Sequence, residues 1–388
     1  MGAVSFFTDV ASEMMYPLLP LFLSTVLGAS ASFIGTIEGA AESTAALLKL
    51  ASGWWSDQVN RRKPLVVLGY GIASFVRPLT AIAQSAGQVL AIRVTDRVGK
   101  GIRTSPRDAL IAESVHPSIR GRAFGFHSAA DNAGAVVGPL LAFAVMVHWR
   151  TPLRTVFWWT LVPGILAFLV LVFAVKDVPR TAGASTATAE PNSVPDGQGA
   201  LPSQFWRYLT VVFIFTLGNS TDAFLLLRAN QLGIPILLAP VLWALLNFVK
   251  AALGTYGGAL SDRVGRRPLI SVGWITYAAV YLAFGFATAA WEAWGLFAAY
   301  GLFYAMTEGT ERALVVDIVP LSRKGTALGW YNLAIGLGAL PASLLFGAVW
   351  DRAGSTAAFT MGATLALIAA AGIWFVVPQR IGVLSNKA

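Results

Sequence analysis

Long apolar runs are the feature that most constrains this 388-residue chain. They recur from one end to the other, and charged residues make up only 12% of the sequence. A helix needs about 20 mainly apolar residues to cross a bilayer, and within lipid it satisfies its own backbone hydrogen bonds. By that measure the sequence predicts about twelve membrane-spanning helices. They are 3–27, 31–55, 64–85, 88–112, 119–147, 153–175, 204–228, 236–260, 268–289, 291–315, 323–350 and 355–378.

The net charge of +9 would by itself suggest a nucleic-acid partner. However, the lysines and arginines concentrate in alternate loops between the apolar runs, and Arg150 and Arg154 are the main exceptions. This distribution follows the positive-inside rule. We therefore predict a multi-pass protein of the inner (plasma) membrane with both termini in the cytoplasm. The lipid bilayer, rather than nucleic acid, accounts for the basic charge.

A short charged loop occurs twice, about two hundred residues apart. It reads GWWSDQVNRR at Gly53–Arg62 and GALSDRVGRR at Gly258–Arg267, so the copies share a glycine, a Ser-Asp pair and two closing arginines. A second match follows each loop, with Ala109–Glu113 recurring as Ala313–Asp317. The chain is therefore predicted to consist of two parallel repeats, an arrangement in which transporters place the substrate site between the halves.

One low-complexity segment divides the predicted spans six and six. Residues 181–203 are small and polar and include proline and glycine, which predicts a flexible cytoplasmic linker. The bundles would occupy residues 1–180 and 204–388. The predicted fold class is thus an all-α integral membrane protein with twelve transmembrane helices in two pseudo-symmetric six-helix bundles.

With these motifs, the chain resembles major facilitator superfamily transporters over nearly its whole length. The family's loop motif, G-x-x-x-D-(R/K)-x-G-R-(R/K), is matched at the second loop, whereas the first has Gln58 and Asn60 in place of a basic residue and glycine. The resemblance implies a cytoplasmic gate in which the loop aspartates contact arginines. For the arginines alone, an ordinary positive-inside loop is the alternative. The gate residues are Gly53, Asp57, Arg61, Arg62, Gly258, Asp262, Arg263, Arg266 and Arg267.

The fifth predicted span resembles the family's antiporter signature, G-(x)8-G-(x)3-G-P. Gly125, Gly134, Gly138 and Pro139 fit this spacing, while Ala142-Phe143 replaces the final glycine pair of the pattern. Glycines on one face allow helices to approach closely, and a proline favours a bend. We expect a tight seam between this span and a neighbour. The resemblance to the antiporter signature favours export. Ordinary packing of small residues is the alternative.

The first predicted span carries two acids one helical turn apart, Asp9 and Glu13, on the same face as Tyr16. Carboxylates in lipid are costly and mark functional sites. A carboxyl group shielded from water favours its neutral form and can therefore take up a proton. The run EMMYPLLP also resembles the first span of drug-type proton antiporters. We predict that these acids couple transport to protons, unless they form structural pairs with cations on another span.

The fourth predicted span carries a stripe of charge that cannot face lipid. Arg93 matches the family's fourth-span arginine, which is held to take part in proton transfer, and Arg97 stands where the family has glycine. Guanidinium groups bind carboxylate or phosphate, which suits an anionic or zwitterionic substrate. The alternative is internal pairing with acids of the first two spans. The stripe contains Arg93, Asp96, Arg97, Lys100, Arg103, Arg107 and Asp108, and the acids are Asp9, Glu13, Glu38 and Glu42.

The remaining intramembrane charges extend these two groups of candidates. His127 and Asp131 can relay protons or form a structural pair. The proton-coupling candidates are Asp9, Glu13, Glu38, Glu42, Arg93, Asp96, His127 and Asp131. The substrate-cavity candidates are Tyr16, Arg97, Lys100, Arg103, Asp222, Lys250, Glu308, Glu311, Arg312 and Asn332.

These features together predict a proton-coupled secondary active transporter that works by alternating access. Efflux antiport of a small drug-like, zwitterionic or anionic molecule is favoured by the fifth-span signature. Uptake symport of an organic anion is the first alternative, and a membrane-embedded enzyme or lipid-handling protein is the second; a channel is disfavoured by the repeated gate loops. The sequence has no cysteine and no phosphate-binding loop, so we expect no cofactor, no metal and no enzymatic activity. The resemblance implies a monomer.

Overall fold

The computed structural model describes residues 1–59, 61–116, 120–150, 152–176, 201–320 and 323–376. Within these ranges the regular elements are all helical. Most of the predicted linker lies outside the described residues, which resume at Leu201.

Eight α-helices lie in the described residues of the first half. They are α1 (Gly2–Met15), α2 (Leu19–Thr25), α3 (Ala31–Gln58), α4 (Lys63–Val76), α5 (Ala86–Glu113), α6 (Arg120–Trp149), α7 (Leu153–Trp159) and α8 (Leu161–Ala174), and a 3-10 turn, Arg77–Ile82, extends α4. The second half contains α9 (Ser203–Gly218), α10 (Ala223–Gln231), α11 (Ala239–Val264), α12 (Arg266–Phe286), α13 (Ala290–Asp317) and α14 (Lys324–Val376), with a 3-10 turn, Ile236–Leu238, before α11.

Each predicted span corresponds to one helix, a broken pair of helices or one arm of a bent helix. The first span breaks between α1 and α2, around Pro17, because proline cannot donate the backbone hydrogen bond that continues a helix. The last two spans form the two arms of α14, which turns at Gly354, where φ is +86°. A positive φ of this size favours glycine because it has no Cβ.

Seven segments of the described chain are long and apolar enough to cross a membrane, judged by length and composition alone. The bent helix α14 forms one of these segments, and broken pairs such as α9–α10 form others. The charged helix α5 is not among them. A charged helix can still cross a membrane when its polar face is turned away from lipid.

The two halves meet along α3 and α14, where glycines permit close backbone contact. A Cβ on Gly35 would lie 2.3 Å from the Ser343 carbonyl oxygen, and a Cβ on Gly336 would lie 2.1 Å from the Ala46 Cβ. We call the helix ends that bear the repeated loops the motif side and the opposite ends the distal side. Further toward the motif side, Gly329 of α14 has no such neighbour within 4 Å. The halves therefore pack on the distal side and diverge toward the motif side.

Candidate functional site

Three adjoining cavities lie between the halves. The first, of about 220 Å³, and the second, of about 240 Å³, share Tyr16, Glu42 and Asp222 in their walls. The third, of about 650 Å³, shares Tyr304 with the second. Its walls come from α6, α11 and α13 and include Gly125, Ser128, Asn132, Lys250, Glu308 and Arg312. We call these three cavities together the chamber, which extends toward the motif side. Most of the charged residues predicted from the sequence line it.

A chain of buried ion pairs holds the first half together behind this chamber. Arg93 donates to both carboxylate oxygens of Glu38, at 3.0 and 2.6 Å, and its Nη1 lies 3.6 Å from Asp96. Asp96 accepts in turn from Arg77 at 2.8 Å. The four side chains are only 2–4% exposed. Two-point guanidinium–carboxylate contacts are strong and directional, so this chain fixes α3 and α5 against the 3-10 turn.

Arg77 was not among the residues predicted from the sequence. Its signal was present, because an arginine inside the predicted span 64–85 is costly unless it is paired. Its partner could not be identified from the sequence, since the 3-10 turn that aims Arg77 at Asp96 follows from how α4 ends.

The rest of the fourth-span stripe is only partly neutralised. Arg97 pairs with Glu42 at 3.3 Å, and the Glu42 side chain is 45% exposed. Lys100 and Arg103 line the first cavity, and neither forms an ion pair within 4 Å in the described part of the chain. Internal pairing therefore explains Arg93 and Arg97 but leaves two cations at the cavity wall.

The first-span acids differ from Glu38, Glu42 and Asp96 in lacking a cationic partner. Among the residues that the structure describes, neither Asp9 nor Glu13 has a cation within 4 Å, and both line the first cavity. Glu13 instead accepts a hydrogen bond from the Trp243 indole nitrogen at 2.6 Å. Trp243 belongs to α11 of the other half and also packs on the Tyr16 ring, with 4.8 Å between the ring centroids. One acid thus contacts both halves, and Trp243 was not predicted from the sequence.

The fifth-span glycines pack directly behind these acids. A Cβ on Gly134 would lie 2.9 Å from the Asp9 Cβ, and one on Gly138 would lie 3.0 Å from the Glu13 Cβ. Helix α1 is therefore the neighbour in the expected seam. Helix α6 continues through Pro139, and Gly125 borders the third cavity with nothing within 4 Å of a Cβ position.

The second half supplies a tyrosine-bound acid and a separate cation cluster. Asp222, between α9 and α10, accepts hydrogen bonds from Tyr300 at 2.7 Å and Tyr304 at 3.1 Å. Lys250 pairs with Glu308 at 2.9 Å, and Arg312 lies 3.8 Å from the same carboxylate. Asp222 and the Lys250–Glu308–Arg312 group all line the chamber.

Two predicted cavity residues lie elsewhere. Glu311 is buried and accepts from the Trp274 indole at 2.8 Å and the Tyr331 hydroxyl at 2.6 Å, so it faces α12 and α14. Asn332 donates to the Leu328 carbonyl of its own helix at 2.9 Å. Neither lines the three cavities. Glu311 is three residues from Glu308, and the resulting rotation of about 60° is enough to turn it from the chamber into the bundle.

The predicted His127–Asp131 pair also lies outside the walls of these cavities. The His127 Nε2 is 3.7 Å from the Asp131 carboxylate, which is too long for a hydrogen bond. Neither ring nitrogen of His127 has a hydrogen-bond partner among the described residues. The two residues are neighbours as predicted, and in this conformation they do not share a direct hydrogen bond.

The repeated loops make contacts within their own halves. In the second copy, Arg266 lies 2.5 Å from Asp262 and 3.2 Å from Asp317, and it also donates to the Ser261 hydroxyl. Arg267 stacks over the Trp374 ring at 4.1 Å. The flanking residues of this copy are open, since Arg263 is exposed and Gly258 has nothing within 4 Å of a Cβ position.

The first loop is described only in part. Arg62 donates to the Ser56 hydroxyl at 3.1 Å, Gly53 faces Ser105, and Arg61 is exposed. The Asp57 side chain and Asn60 lie outside the described residues.

On the distal side, an acid of the second half caps a helix of the first. Asp351, beside the turn of α14, accepts from the backbone nitrogens of Ala31 at 3.0 Å and Ser32 at 2.9 Å, and from the Ser32 hydroxyl. These nitrogens begin α3 and have no partner within their own helix. Burial by itself raises the pKa of Asp351, but the hydrogen bonds from Ser32 and Ala31 hold it below its ordinary value.

Comparison with known proteins gives a consistent family relationship. The profile of the Major Facilitator Superfamily matches residues 1–256 and 229–387. An uncharacterised MFS-type transporter of Methanocaldococcus jannaschii is 33% identical over 386 residues, covering 97% of this chain and 94% of the relative.

Two solved structures are similar in fold. A bacterial homologue of the human lysosomal transporter Spinster, inward-facing and unoccupied, superposes with a TM-score of 0.76 at 17% identity, covering 97% of this chain and 95% of the other. A D-xylose–proton symporter gives 0.74 at 17% identity, covering 97% and 96%.

Proposed function

The chain belongs to the major facilitator superfamily, and we propose that this secondary transporter is a proton-coupled efflux antiporter for a small organic molecule. The proposed substrate is drug-like, zwitterionic or anionic. The motif side is proposed to be cytoplasmic, with both termini there, and the protein to act as a monomer in the inner membrane. Family and fold point to a transporter rather than an enzyme.

The observation that carries this proposal is the contrast between two sets of acids. Glu38, Glu42 and Asp96 are neutralised by arginines, which stabilise the charged carboxylates. Asp9 and Glu13 face the cavity and have no such partner among the residues that the structure describes. A desolvated acid without a counter-charge favours the neutral form, so these two are the groups best suited to gain and lose a proton.

The contact between Glu13 and Trp243 supplies a physical link from proton to conformation. An ionised carboxylate accepts a stronger hydrogen bond than a neutral carboxyl. The Glu13–Trp243 bond joins the halves beside the chamber. Protonation of Glu13 weakens this bond and favours opening of the distal side. Loss of the proton restores the bond and favours closure of that side.

Flux in proteoliposomes tests the proposal, with amino acids, organic anions and fluorescent drug-like dyes as probes and an imposed pH gradient as the driving force. Probe movement that ignores the gradient would remove proton coupling. In Asp9→Asn and Glu13→Gln, we expect gradient-driven flux to fall by about tenfold or more, because general proton-transfer groups contribute on that scale. Glu292→Gln is the matched control, since Glu292 caps α13 at the distal side. Full gradient-driven flux in both cavity variants would place the coupling site elsewhere.

Uptake of an organic anion with protons is the second candidate. It is favoured by Lys100 and Arg103, which line the cavity and form no ion pair within the described ranges. The two functions predict opposite directions: an antiporter moves its probe against an inward proton gradient, and a symporter moves it along that gradient. The direction of probe movement in sealed, oriented vesicles separates the two.

A further inference from the structure

The first cavity presents charges of opposite sign from opposite halves of the protein. Lys100 and Arg103 lie in its wall from α5 of the first half, and Asp222 lies in the same wall from the second half. None of the three forms an ion pair within 4 Å among the described residues. These charges could pair with each other only if the halves came closer, so a bound molecule is the natural bridge between them.

Arg103 gives the strongest indication that an anionic group binds here. Its side chain is only 6% exposed, its guanidinium stacks on the Tyr70 ring at 4.1 Å, and its Nε and Nη1 have no hydrogen-bond partner in the described chain. A buried guanidinium without an anion is strongly unfavourable. The planar fork of donors matches a carboxylate or phosphate. Lys100, one turn earlier on α5, adds a second positive charge at the same wall.

Three acids of the first half could pair with Arg103, but none does so in the described part of the chain. Asp96 is held by Arg77 and Arg93. Asp9 and Glu13 line the same cavity, but among the described residues neither lies within 4 Å of a cation. In this part of the chain the acids of the first half therefore leave Lys100 and Arg103 without a direct ion-pair partner.

Asp222 forms the opposite pole. Two tyrosine hydroxyls donate to it and fix its orientation, and Lys250, the nearest basic residue of that half in the chamber, pairs with Glu308 instead. The Tyr16 and Trp243 rings share the wall with Asp222. An acid flanked by aromatic faces is the arrangement that binds an organic ammonium group, through charge and cation–π contacts.

We infer that this cavity binds an amphoteric small molecule that carries an acidic group and a basic nitrogen. Lys100 and Arg103 hold the carboxylate or phosphate, and Asp222, with the Tyr16 and Trp243 rings, holds the ammonium group. A ligand of this class bridges the halves and leaves the net charge of the chamber unchanged. The inference takes the chamber of the proposed transporter as its substrate site and narrows the substrate class.

Equilibrium binding to the purified protein in detergent tests this inference without any gradient. The probes are phenylalanine, 4-aminobutanoate and 6-aminohexanoate, which place the two charges at increasing separation. Each is compared with its methyl ester, which keeps only the cation, and its N-acetyl derivative, which keeps only the anion. The thermal unfolding midpoint and the Kd are measured for each compound.

We expect at least one parent amino acid to bind about tenfold or more tightly than both of its derivatives, as the loss of one charged contact implies. Arg103→Gln should abolish the advantage over the methyl ester, and Asp222→Asn the advantage over the N-acetyl derivative. Arg228→Gln is the matched control, because Arg228 donates to backbone carbonyls at the distal side rather than facing the cavity. It should keep both advantages.

The inference is overturned if no parent binds, if either derivative binds as tightly as its parent, or if the advantages survive in Arg103→Gln and Asp222→Asn. Binding with the expected preferences but without a response of flux to the pH gradient would retain the amphoteric site and reject proton coupling. Gradient-driven flux of the singly charged probes alone would retain proton coupling and reject the amphoteric site.

Discussion

Asp96, which lies behind the chamber, and Glu42, which lies in its wall, show how burial distinguishes two paired acids. Asp96 is held between Arg77 and Arg93 and is 2% exposed. Glu42 pairs with Arg97, and its side chain is 45% exposed. Removing one partner of a buried pair leaves an uncompensated charge, whereas a half-exposed pair is screened by water. Their contributions to stability should therefore differ widely.

At the residue scale we predict that Asp96→Asn lowers the free energy of unfolding by about 3–5 kcal/mol. Glu42→Gln should lower it by about 1 kcal/mol or less. Unfolding of the purified protein in mixed micelles, followed by tryptophan fluorescence against denaturant, measures both. Equal losses in the two variants would mean that the buried chain does not hold α5 in place.

Candidate residues were easier to identify from the sequence than the partners with which they interact. The acids of the first span and the charge stripe of the fourth span were sufficient to select Asp9, Glu13, Lys100 and Arg103, and all four line one cavity. The pairing of Arg77 with Asp96 depends on a 3-10 turn. The Glu13–Trp243 bond depends on packing between halves, 230 residues apart, that no local pattern encodes.

At the scale of the helices, the seam between α1 and α6 determines where the first-span acids lie. Gly138 allows α6 to approach the Val10 carbonyl and the Glu13 Cβ, whereas Gly125 of the same helix faces open space. The spacing of the glycines in the sequence predicted a close contact but not its partner. Any of several neighbouring helices would have accepted the same small face.

We predict that Gly138→Ala destabilises the protein by about 1–3 kcal/mol, because the added methyl would lie 2.7 Å from the Val10 carbonyl oxygen. Gly125→Ala should be neutral or slightly stabilising, because it adds a better helix former in open space. Thermal unfolding in detergent measures the difference. A loss in Gly125→Ala as large as that in Gly138→Ala would argue against the seam.

At the scale of the whole molecule, the fold was the most predictable part. Helix length and apolarity identified the twelve spans, and the parallel repeat identified the two halves; the all-α membrane fold of the major facilitator superfamily is confirmed. The conformational state could not be predicted. It depends on which ends of the halves pack together, and here those are the distal ends of α3 and α14.

Asp351 gives this closure a pH dependence. Burial raises the pKa of Asp351, but the hydrogen bonds from Ser32 and Ala31 outweigh this effect and lower it. The pKa should return toward its ordinary value when the distal side opens. The contact therefore stabilises the closed form fully above the ordinary pKa, and this stabilisation is lost as pH falls through the lowered pKa. We predict that Asp351→Asn shifts the protein toward the distal-open form at neutral pH, by about tenfold, the value of one charge-assisted hydrogen bond.

Electron–electron distances between spin labels at Val26→Cys and Leu237→Cys report this shift, because both sites are exposed on the distal side of opposite halves. The natural chain has no cysteine, so the labels have no background. Glu292→Gln, which removes a cap within one half, should leave the distances unchanged. A distal-closed population in Asp351→Asn equal to that of the parent would exclude Asp351 as a closing contact.

The most direct test of the central claim is the same distance measurement on the motif side, with labels at Leu50→Cys and Tyr256→Cys, as pH is lowered from about 8 to about 5. Both sites are exposed. If protonation of Asp9 and Glu13 releases the distal contacts, the motif-side distance shortens as pH falls. The combined Asp9→Asn and Glu13→Gln variant should then show the short distance at every pH. A distance that does not change with pH, or that still changes in the combined variant, would contradict proton coupling through these acids.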